Sequence, residues 1–106
     1  MSLSTHVLDA TSGQPARAVA VTLTDATGAV IADGVTNADG RIPSLGAELT
    51  AGVYRIRFDT AAYFASVGVT GFYPEIVIAF EITDPTSHHH VPLLLSPYAY
   101  STYRGS

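Results

Sequence analysis

Four histidines are the side chains of this sequence best suited to proton transfer at neutral pH. His6 lies near the start of the chain, and His88, His89 and His90 form a run before the mainly apolar residues 91–95. Imidazole has an unperturbed pKa of about 6.5, so it can act as an acid or a base under physiological conditions. These histidines are therefore the first candidates for general acid–base catalysis.

Arg41 is the candidate cation for the same chemistry. The chain has five arginines and no lysine, and Arg41 directly follows the turn-forming residues 37–40. A guanidinium presents a planar pair of donors that can hold a carbonyl oxygen or a developing oxyanion. A solvated charge at a turn is the simpler interpretation, and from the residues alone it stays open.

A metal site at the histidine run is a further alternative. In a strand, His88 and His90 would share one face and could offer two imidazoles to a metal ion. No Asp or Glu stands next to this run as a third ligand, and the chain has no cysteine to supply a thiolate. Whether His88 and His89 bind a metal is left open, but the chemistry that we favour needs neither a metal nor an organic cofactor.

Short segments of alternating polarity predict that these side chains are carried by β-strands. Residues 52–59 alternate apolar and charged side chains, which is typical of a strand with one buried face. Residues 60–67 break this rhythm and predict one short helix, with Thr60 as its cap. Turn signals at regular spacing favour an all-β, antiparallel β-sandwich of about eight strands with one short helix. The predicted strands cover residues 4–9, 18–24, 29–36, 41–43, 52–59, 74–83, 88–96 and 98–103.

Strand parity predicts where the candidate residues point. If the neighbours of His6 in the sequence face the core, His6 and Leu8 face outward on the other side of the sheet. By the same argument, His90, Pro92 and Leu94 share one outward face. Both faces mix histidine with apolar side chains, so we expect a partner subunit to cover them.

Length and composition exclude several classes of protein. The chain has 106 residues and a net charge of −4, so we expect residues 1–106 to form a single domain. No basic stripe suggests a nucleic-acid partner, and no apolar run approaches the ~20 residues of a membrane helix. The absence of cysteine excludes a disulfide framework. No leader pattern is visible, so a cytoplasmic location is expected.

The final segment, residues 98–106, is unusual for a chain terminus. It carries three tyrosines and an arginine, whereas termini are normally small and polar. This composition predicts that the end of the chain is tucked into something. An edge strand with aromatic cross-strand pairs is the simpler alternative.

Three of these segments resemble the signatures of the transthyretin family, in its 5-hydroxyisourate hydrolase branch. The first is Leu-Ser-Thr-His-Val-Leu-Asp at residues 3–9, followed by Gly-Gln-Pro-Ala at residues 13–16. The second is the pair Gly40-Arg41. The third runs from His90 through Pro97 to the terminal Tyr-Arg-Gly-Ser at residues 103–106, which the hormone-carrying branch lacks. The resemblance covers the whole chain at consistent spacing.

This resemblance implies a transthyretin-like fold and an enzymatic function. The implied reaction is hydrolysis of 5-hydroxyisourate to 2-oxo-4-hydroxy-4-carboxy-5-ureidoimidazoline in urate degradation, within a homotetramer whose channel holds the site. The resemblance implies no role for His88 or His89, and it leaves open which histidine is the general base. It implies catalytic roles for His6, Arg41, His90 and Ser106, and substrate binding by His6, Arg41 and Tyr103.

Two other functions fit parts of the sequence. A non-catalytic, transthyretin-like carrier of small molecules would use the same fold and channel, although it has no need of two imidazoles and an arginine in one pocket. An adhesion sandwich of the immunoglobulin type is disfavoured, because the chain has neither cysteine nor tryptophan.

Overall fold

The computed structural model describes residues 3–106, which form nine strands and one helix. No helix in this described range is long and apolar enough to cross a membrane. The elements are β1 (Leu3–Asp9), β2 (Gln14–Pro15), β3 (Ala20–Asp25), β4 (Val30–Val35), β5 (Arg41–Leu45), β6 (Gly52–Phe58), α1 (Thr60–Ser66), β7 (Ile76–Ile82), β8 (His89–Leu95) and β9 (Tyr100–Thr102).

The strands form two sheets that pack as a sandwich, as the sequence predicted. One sheet has the order β4-β3-β6-β7, and the other has the order β2-β1-β8-β9 with β5 also paired to β1. The predicted antiparallel pairing holds except between β1 and β8, which run parallel over their full length. This exception brings the first long strand of the chain beside the penultimate one.

The core lies between the sheets and follows the predicted alternation. Tyr54, Ile56 and Phe58 on β6 are buried, whereas Arg55 and Arg57 between them are exposed. Burying each of these large side chains contributes about 1.5–3 kcal/mol. Core packing therefore fixes which face of each strand points outward, including the outward faces of β1 and β8.

The helix begins at Thr60, so its cap lies one residue earlier than predicted. The Asp59 carboxylate caps it by accepting the Ala62 amide at 3.2 Å. Thr60, the predicted cap, is fully buried and donates its hydroxyl to the Tyr73 carbonyl at 2.6 Å. A carboxylate at the position before the first helical residue satisfies an amide that would otherwise have no partner.

A buried hydrogen bond ties this helix to β1. The Tyr63 hydroxyl donates to Asp9 Oδ2 at 2.7 Å. Burial, together with the bond and the charge of Asp9, raises the pKa of Tyr63 to about 12. The tyrosine therefore stays protonated and anchors the end of the strand that carries His6.

The terminal tyrosines are not covered by residues 3–106. Tyr98, Tyr100 and Tyr103 are exposed, so the predicted covering of the tail does not occur within one chain. β9 is an edge strand paired antiparallel to β8, as in the simpler interpretation. Tyr100, however, packs edge-on against Tyr73 with centroids 5.3 Å apart, and Tyr73 lies outside the strands.

Candidate active site

Strand register places His6, Arg41 and His90 on one outward face of the sheet. His6 lies directly opposite Arg41 in the antiparallel β1–β5 pair. In the parallel β1–β8 pair, His90 is aligned with Ser4 and Pro92 with His6. Because residues two apart on a strand share a face, Ser4 and His6 point to the same side. The three residues that the sequence singled out are therefore neighbours.

Burial confirms the predicted strand parity. Thr5 and Val7 are fully buried, whereas His6, which lies between them, and Leu8, which follows Val7, are half-buried. On β8, His89 faces inward with 8% exposure, and its Nδ1 lies 3.0 Å from the Ser87 carbonyl. His90, the next residue, is half-buried on the outward face.

The outward face exposes less apolar surface than the sequence suggested. Leu8 and Leu94 are half-buried, but Pro92 is buried within the single chain. β9 is paired to β8 at this point, and the Thr102 hydroxyl donates to the Pro92 carbonyl at 2.7 Å. The expectation that Pro92 needs a partner subunit to cover it is therefore wrong.

A tight turn aims Arg41 at this face. Asn37 Oδ1 accepts the backbone amides of Asp39 and Arg41 at 2.9 and 3.0 Å. Gly40 has a φ of +73°, and a Cβ there would collide with the Val7 carbonyl oxygen. Only glycine combines this left-handed backbone with so close an approach to β1.

The guanidinium of Arg41 has no bound carboxylate among residues 3–106. The ion pair found in that range joins Arg57 and Glu75 at 2.7 Å, on the other sheet. Arg41 is exposed, and its side chain donates no hydrogen bond within the described chain. Its donors are therefore free to bind an oxygen of a ligand.

Ser4, which the sequence analysis did not single out, bridges two imidazoles. Its Oγ lies 2.7 Å from His90 Nδ1 and 2.8 Å from His88 Nε2. A serine in a strand carries no signal of its own. The hint available in the sequence was that Ser4 and His6 share one face of the first strand.

The pKa of His90 lies below the usual imidazole value. Burial is the largest cause, followed by the positive charge of Arg41 and by the nearby His6 and His88. Hydrogen bonding to the Ser4 backbone acts in the opposite direction. His90 is therefore a neutral imidazole at neutral pH, which is the form that accepts a proton.

The C-terminal tail packs directly on His90. The Gly105 amide donates to the His90 carbonyl at 2.9 Å. A Cβ at Gly105 would lie 3.0 Å from His90 Cγ and closer still to Cδ2, so no other residue fits without displacing the ring. The tail and Ser4 together hold His90 in one orientation.

Tyr103 and Ser106 are tied to the other candidate residues less closely than Gly105 is. Tyr103 and His90 both line a pocket of about 330 Å³ at the sandwich edge, together with Ile78 and Phe80 of β7. The Tyr103 side chain is exposed, as is Ser106. Neither side chain forms a hydrogen bond with His6 or Arg41 in the described chain, so their predicted roles stay predictions.

The face has the parts that hydrolysis of a carbonyl compound requires. A neutral imidazole can activate water, a second imidazole stands near it, and a free guanidinium can stabilise negative charge on oxygen. Within residues 3–106, no group of three or more His, Cys, Asp or Glu is arranged to hold a metal ion.

Comparison with known proteins gives consistent matches over the whole chain. The model of the HIUase/Transthyretin family matches residues 3–105. The 5-hydroxyisourate hydrolase of Salmonella dublin is 47% identical over 109 residues, which cover 98% of this chain and 80% of that relative. The structure of Klebsiella pneumoniae 5-hydroxyisourate hydrolase superposes with a TM-score of 0.92 at 43% identity, covering 100% of both chains. Sea bream transthyretin in complex with thyroxine superposes with a TM-score of 0.91 at 39% identity, covering 99% of this chain and 95% of that one.

Proposed function

The chain belongs to the HIUase/Transthyretin family and is a 5-hydroxyisourate hydrolase, and we propose that its reaction takes place on the face that carries His6, Arg41 and His90. The reaction opens the six-membered ring of 5-hydroxyisourate to give 2-oxo-4-hydroxy-4-carboxy-5-ureidoimidazoline in urate degradation. The observation that carries the proposal is the Arg41 guanidinium, to which no carboxylate of residues 3–106 is bound, beside an imidazole that burial keeps neutral.

His90 is the general base in this proposal. Its Nδ1 is engaged by Ser4 at 2.7 Å, which leaves Nε2 to face the substrate. Its lowered pKa keeps the ring neutral, and with the ring proton on Nδ1 the unprotonated Nε2 can take a proton from the attacking water. A positioned base of this kind accelerates a reaction by about 10²–10⁴-fold.

Arg41 stabilises the oxyanion that forms when water adds to the ring carbonyl. The developing negative charge would meet a cation that no carboxylate within the described part of the chain neutralises. The same charge lowers the pKa of His90, so Arg41 also supports the neutral base. A lysine could supply the charge but not the planar pair of donors.

His6 donates a proton to the leaving ring nitrogen, and the tail completes the substrate pocket. His6 lies opposite Arg41, so an oxygen held by Arg41 keeps the adjacent ring nitrogen near the His6 imidazole. Tyr103 would bind the planar ring and Ser106 would close the pocket. The support for these two roles is that Gly105, between them in the tail, packs on His90.

The active protein is proposed to be a homotetramer of single-domain chains, with the site in a shared channel. Support comes from half-buried Leu8 and Leu94 beside the site and from exposed aromatics such as Phe72 and Tyr98. Residues 1–106 are taken as one transthyretin-like domain. A cytoplasmic location stays a prediction.

A carrier without catalytic activity is the alternative, because sea bream transthyretin binds thyroxine on the same fold. The deciding experiment generates 5-hydroxyisourate in situ with urate oxidase and follows its ultraviolet absorbance with and without the protein. We expect a loss much faster than spontaneous decay. Loss at the spontaneous rate would leave only the carrier.

Site variants then test the residue roles. His6→Ala, Arg41→Ala and His90→Ala should each lower turnover by at least ~10², with little change in thermal stability because none of the three fills the core. Arg41→Lys should not restore activity. The matched control is Arg55→Ala, which removes an exposed arginine from the other sheet. Wild-type turnover by any of the three alanine variants would remove that residue from the mechanism.

A further inference from the structure

The hydroxyl of Ser4 connects the proposed base to a second histidine that the hydrolysis proposal does not use. Ser4 Oγ is within hydrogen-bond distance of His90 Nδ1, at 2.7 Å, and of His88 Nε2, at 2.8 Å. His90 is half-buried under the tail, whereas His88 is exposed to solvent. The three groups thus form a continuous line from the site to water.

A serine hydroxyl carries one proton, so it can donate to only one of its two imidazole partners. The other imidazole must then donate its N–H to Ser4 Oγ. Two arrangements satisfy both bonds. Either His90 donates and His88 accepts, or His88 donates and His90 accepts. The tautomer of half-buried His90 is therefore coupled to the tautomer of exposed His88.

We propose that Ser4 and His88 form a proton relay that carries the proton taken up by His90 to solvent. This inference rests on the proposed function of His90 as the general base. Ser4 and His88 do not touch the reacting atoms and act only through His90, so they are positioning and relay residues.

The relay step conserves protons. Before reaction, His90 donates from Nδ1 to Ser4, Ser4 donates to His88 Nε2, and His90 Nε2 is unprotonated. When Nε2 takes a proton from water, the Nδ1 proton passes to Ser4 Oγ as the Ser4 proton passes to His88 Nε2. His88 then releases the proton on its Nδ1 to solvent. One proton enters at His90 and one leaves at His88. After the product leaves, His88 Nδ1 takes up a proton from water, the protons of the line shift back, and His90 Nε2 releases its proton to water. The starting tautomers are then restored, with one proton exported in each turnover.

The chemistry of the reaction gives this relay a purpose. Hydrolysis places one proton of water on the leaving nitrogen and produces a carboxyl group, which ionises at neutral pH. One proton must therefore leave the site in each turnover. Other groups facing His90 are poor exits, because Arg41 is a permanent cation and His6 is assigned to the leaving nitrogen.

Four variants of the full chain separate a relay from a merely structural hydrogen bond. Ser4→Ala and His88→Ala should each lower kcat by about 10-fold or more with little change in KM, and Ser4→Thr should keep most of the activity because it keeps a hydroxyl. His88→Gln can still bond to Ser4 but cannot be protonated, so it should be as slow as His88→Ala. Ser66→Ala, on the helix, is the matched serine control.

Chemical rescue is the readout that a structural role would not change. Added imidazole should raise kcat of His88→Ala with increasing concentration, while sodium chloride at equal ionic strength should not. Wild-type kcat in His88→Ala or His88→Gln would overturn the relay. So would a slow His88→Ala variant that imidazole does not rescue.

The tautomers can be measured without any turnover. Ring ¹⁵N chemical shifts should show that His88 and His90 occupy the same tautomer in the wild-type protein, both protonated on Nδ1 before reaction, and lose this coupling in Ser4→Ala. Uncoupled tautomers in the wild type would overturn the relay even if hydrolysis is confirmed. Conversely, wild-type turnover by His90→Ala would overturn the proposed base, whatever the tautomers show.

Discussion

Replacing Gly105 by alanine tests whether the tail holds the base in place. The added Cβ would lie 3.0 Å from His90 Cγ, and it would be closer to Cδ2. Carbon atoms in contact are normally about 3.5–4.0 Å apart, so the ring or the tail must shift by at least about 0.5–1 Å to relieve the Cγ contact, and the closer Cδ2 contact needs more. The same shift of the ring would carry Nδ1 to about 3.2–3.7 Å from Ser4 Oγ, at or beyond the ordinary limit for a hydrogen bond.

The expected result is a loss of turnover without a loss of fold. A misplacement of about 1 Å at a catalytic group can cost about 10²-fold, so Gly105→Ala should lower kcat by ~10–100-fold. Stability should fall by only about 1 kcal/mol, because the tail forms a single backbone hydrogen bond with His90. Absorbance assays of 5-hydroxyisourate loss and thermal melts measure the two effects.

Gly68→Ala is the matched control, because the same substitution at this position should lower stability without lowering turnover. Gly68 has a φ of +71° and open space around its Cα. Alanine there costs about 1–2 kcal/mol of backbone strain, but it lies after the helix and away from the site. Wild-type kcat and KM in Gly105→Ala would refute the conclusion that the tail fixes the orientation of His90.

Three further predictions concern assembly, charge and the helix cap. Leu94→Glu should weaken the proposed tetramer and lower activity together, because it would place a charge at the proposed subunit interface. Sedimentation and the turnover assay measure the two effects, and an active, stable monomer would contradict the channel proposal. Arg41→Gln should raise the pKa of His90, measured by NMR titration, since a nearby cation is removed. Because the folded-state pKa of His90 lies below the unfolded value of about 6.5, the protein loses stability as the pH falls from that value through the folded-state pKa. Arg41→Gln should lessen this loss of stability. Asp59→Ala should lower the free energy of unfolding by about 1 kcal/mol, because the Ala62 amide loses its acceptor. The melting temperature should fall by about 5 °C while turnover stays unchanged. An unchanged melting temperature would show that the cap contributes nothing to stability.

Period-two alternation made the outward faces predictable. Thr5 and Val7 had to face the core, so His6 had to face away, and the same parity separated His90 from His89. The Asn37–Gly40 turn likewise predicted that Arg41 would begin a strand, as it does. These inferences needed only local rules, because each strand has one buried face.

Contacts between distant strands could not be predicted in this way. Ser4 meets His88 and His90 only because β1 and β8 run parallel in one particular register, and no local pattern specifies that register. Pro92 is buried within the single chain although it lies on the outward face, which its strand parity did not predict. Asp59 instead of Thr60 caps the helix because the Thr60 hydroxyl binds the Tyr73 carbonyl in the folded chain.

The parallel pairing of β1 with β8 also sets when this protein becomes active during its own synthesis. Ser4 and His90 are 86 positions apart. At a translation rate of about 5–20 residues per second, the ribosome needs roughly 4–17 s to make the second strand after the first. Until then one edge of β1 has no partner and is open to association with other nascent chains. Pairing of strands so distant in sequence is also slow when the complete chain refolds, so enzymatic activity should be among the last properties to appear in refolding.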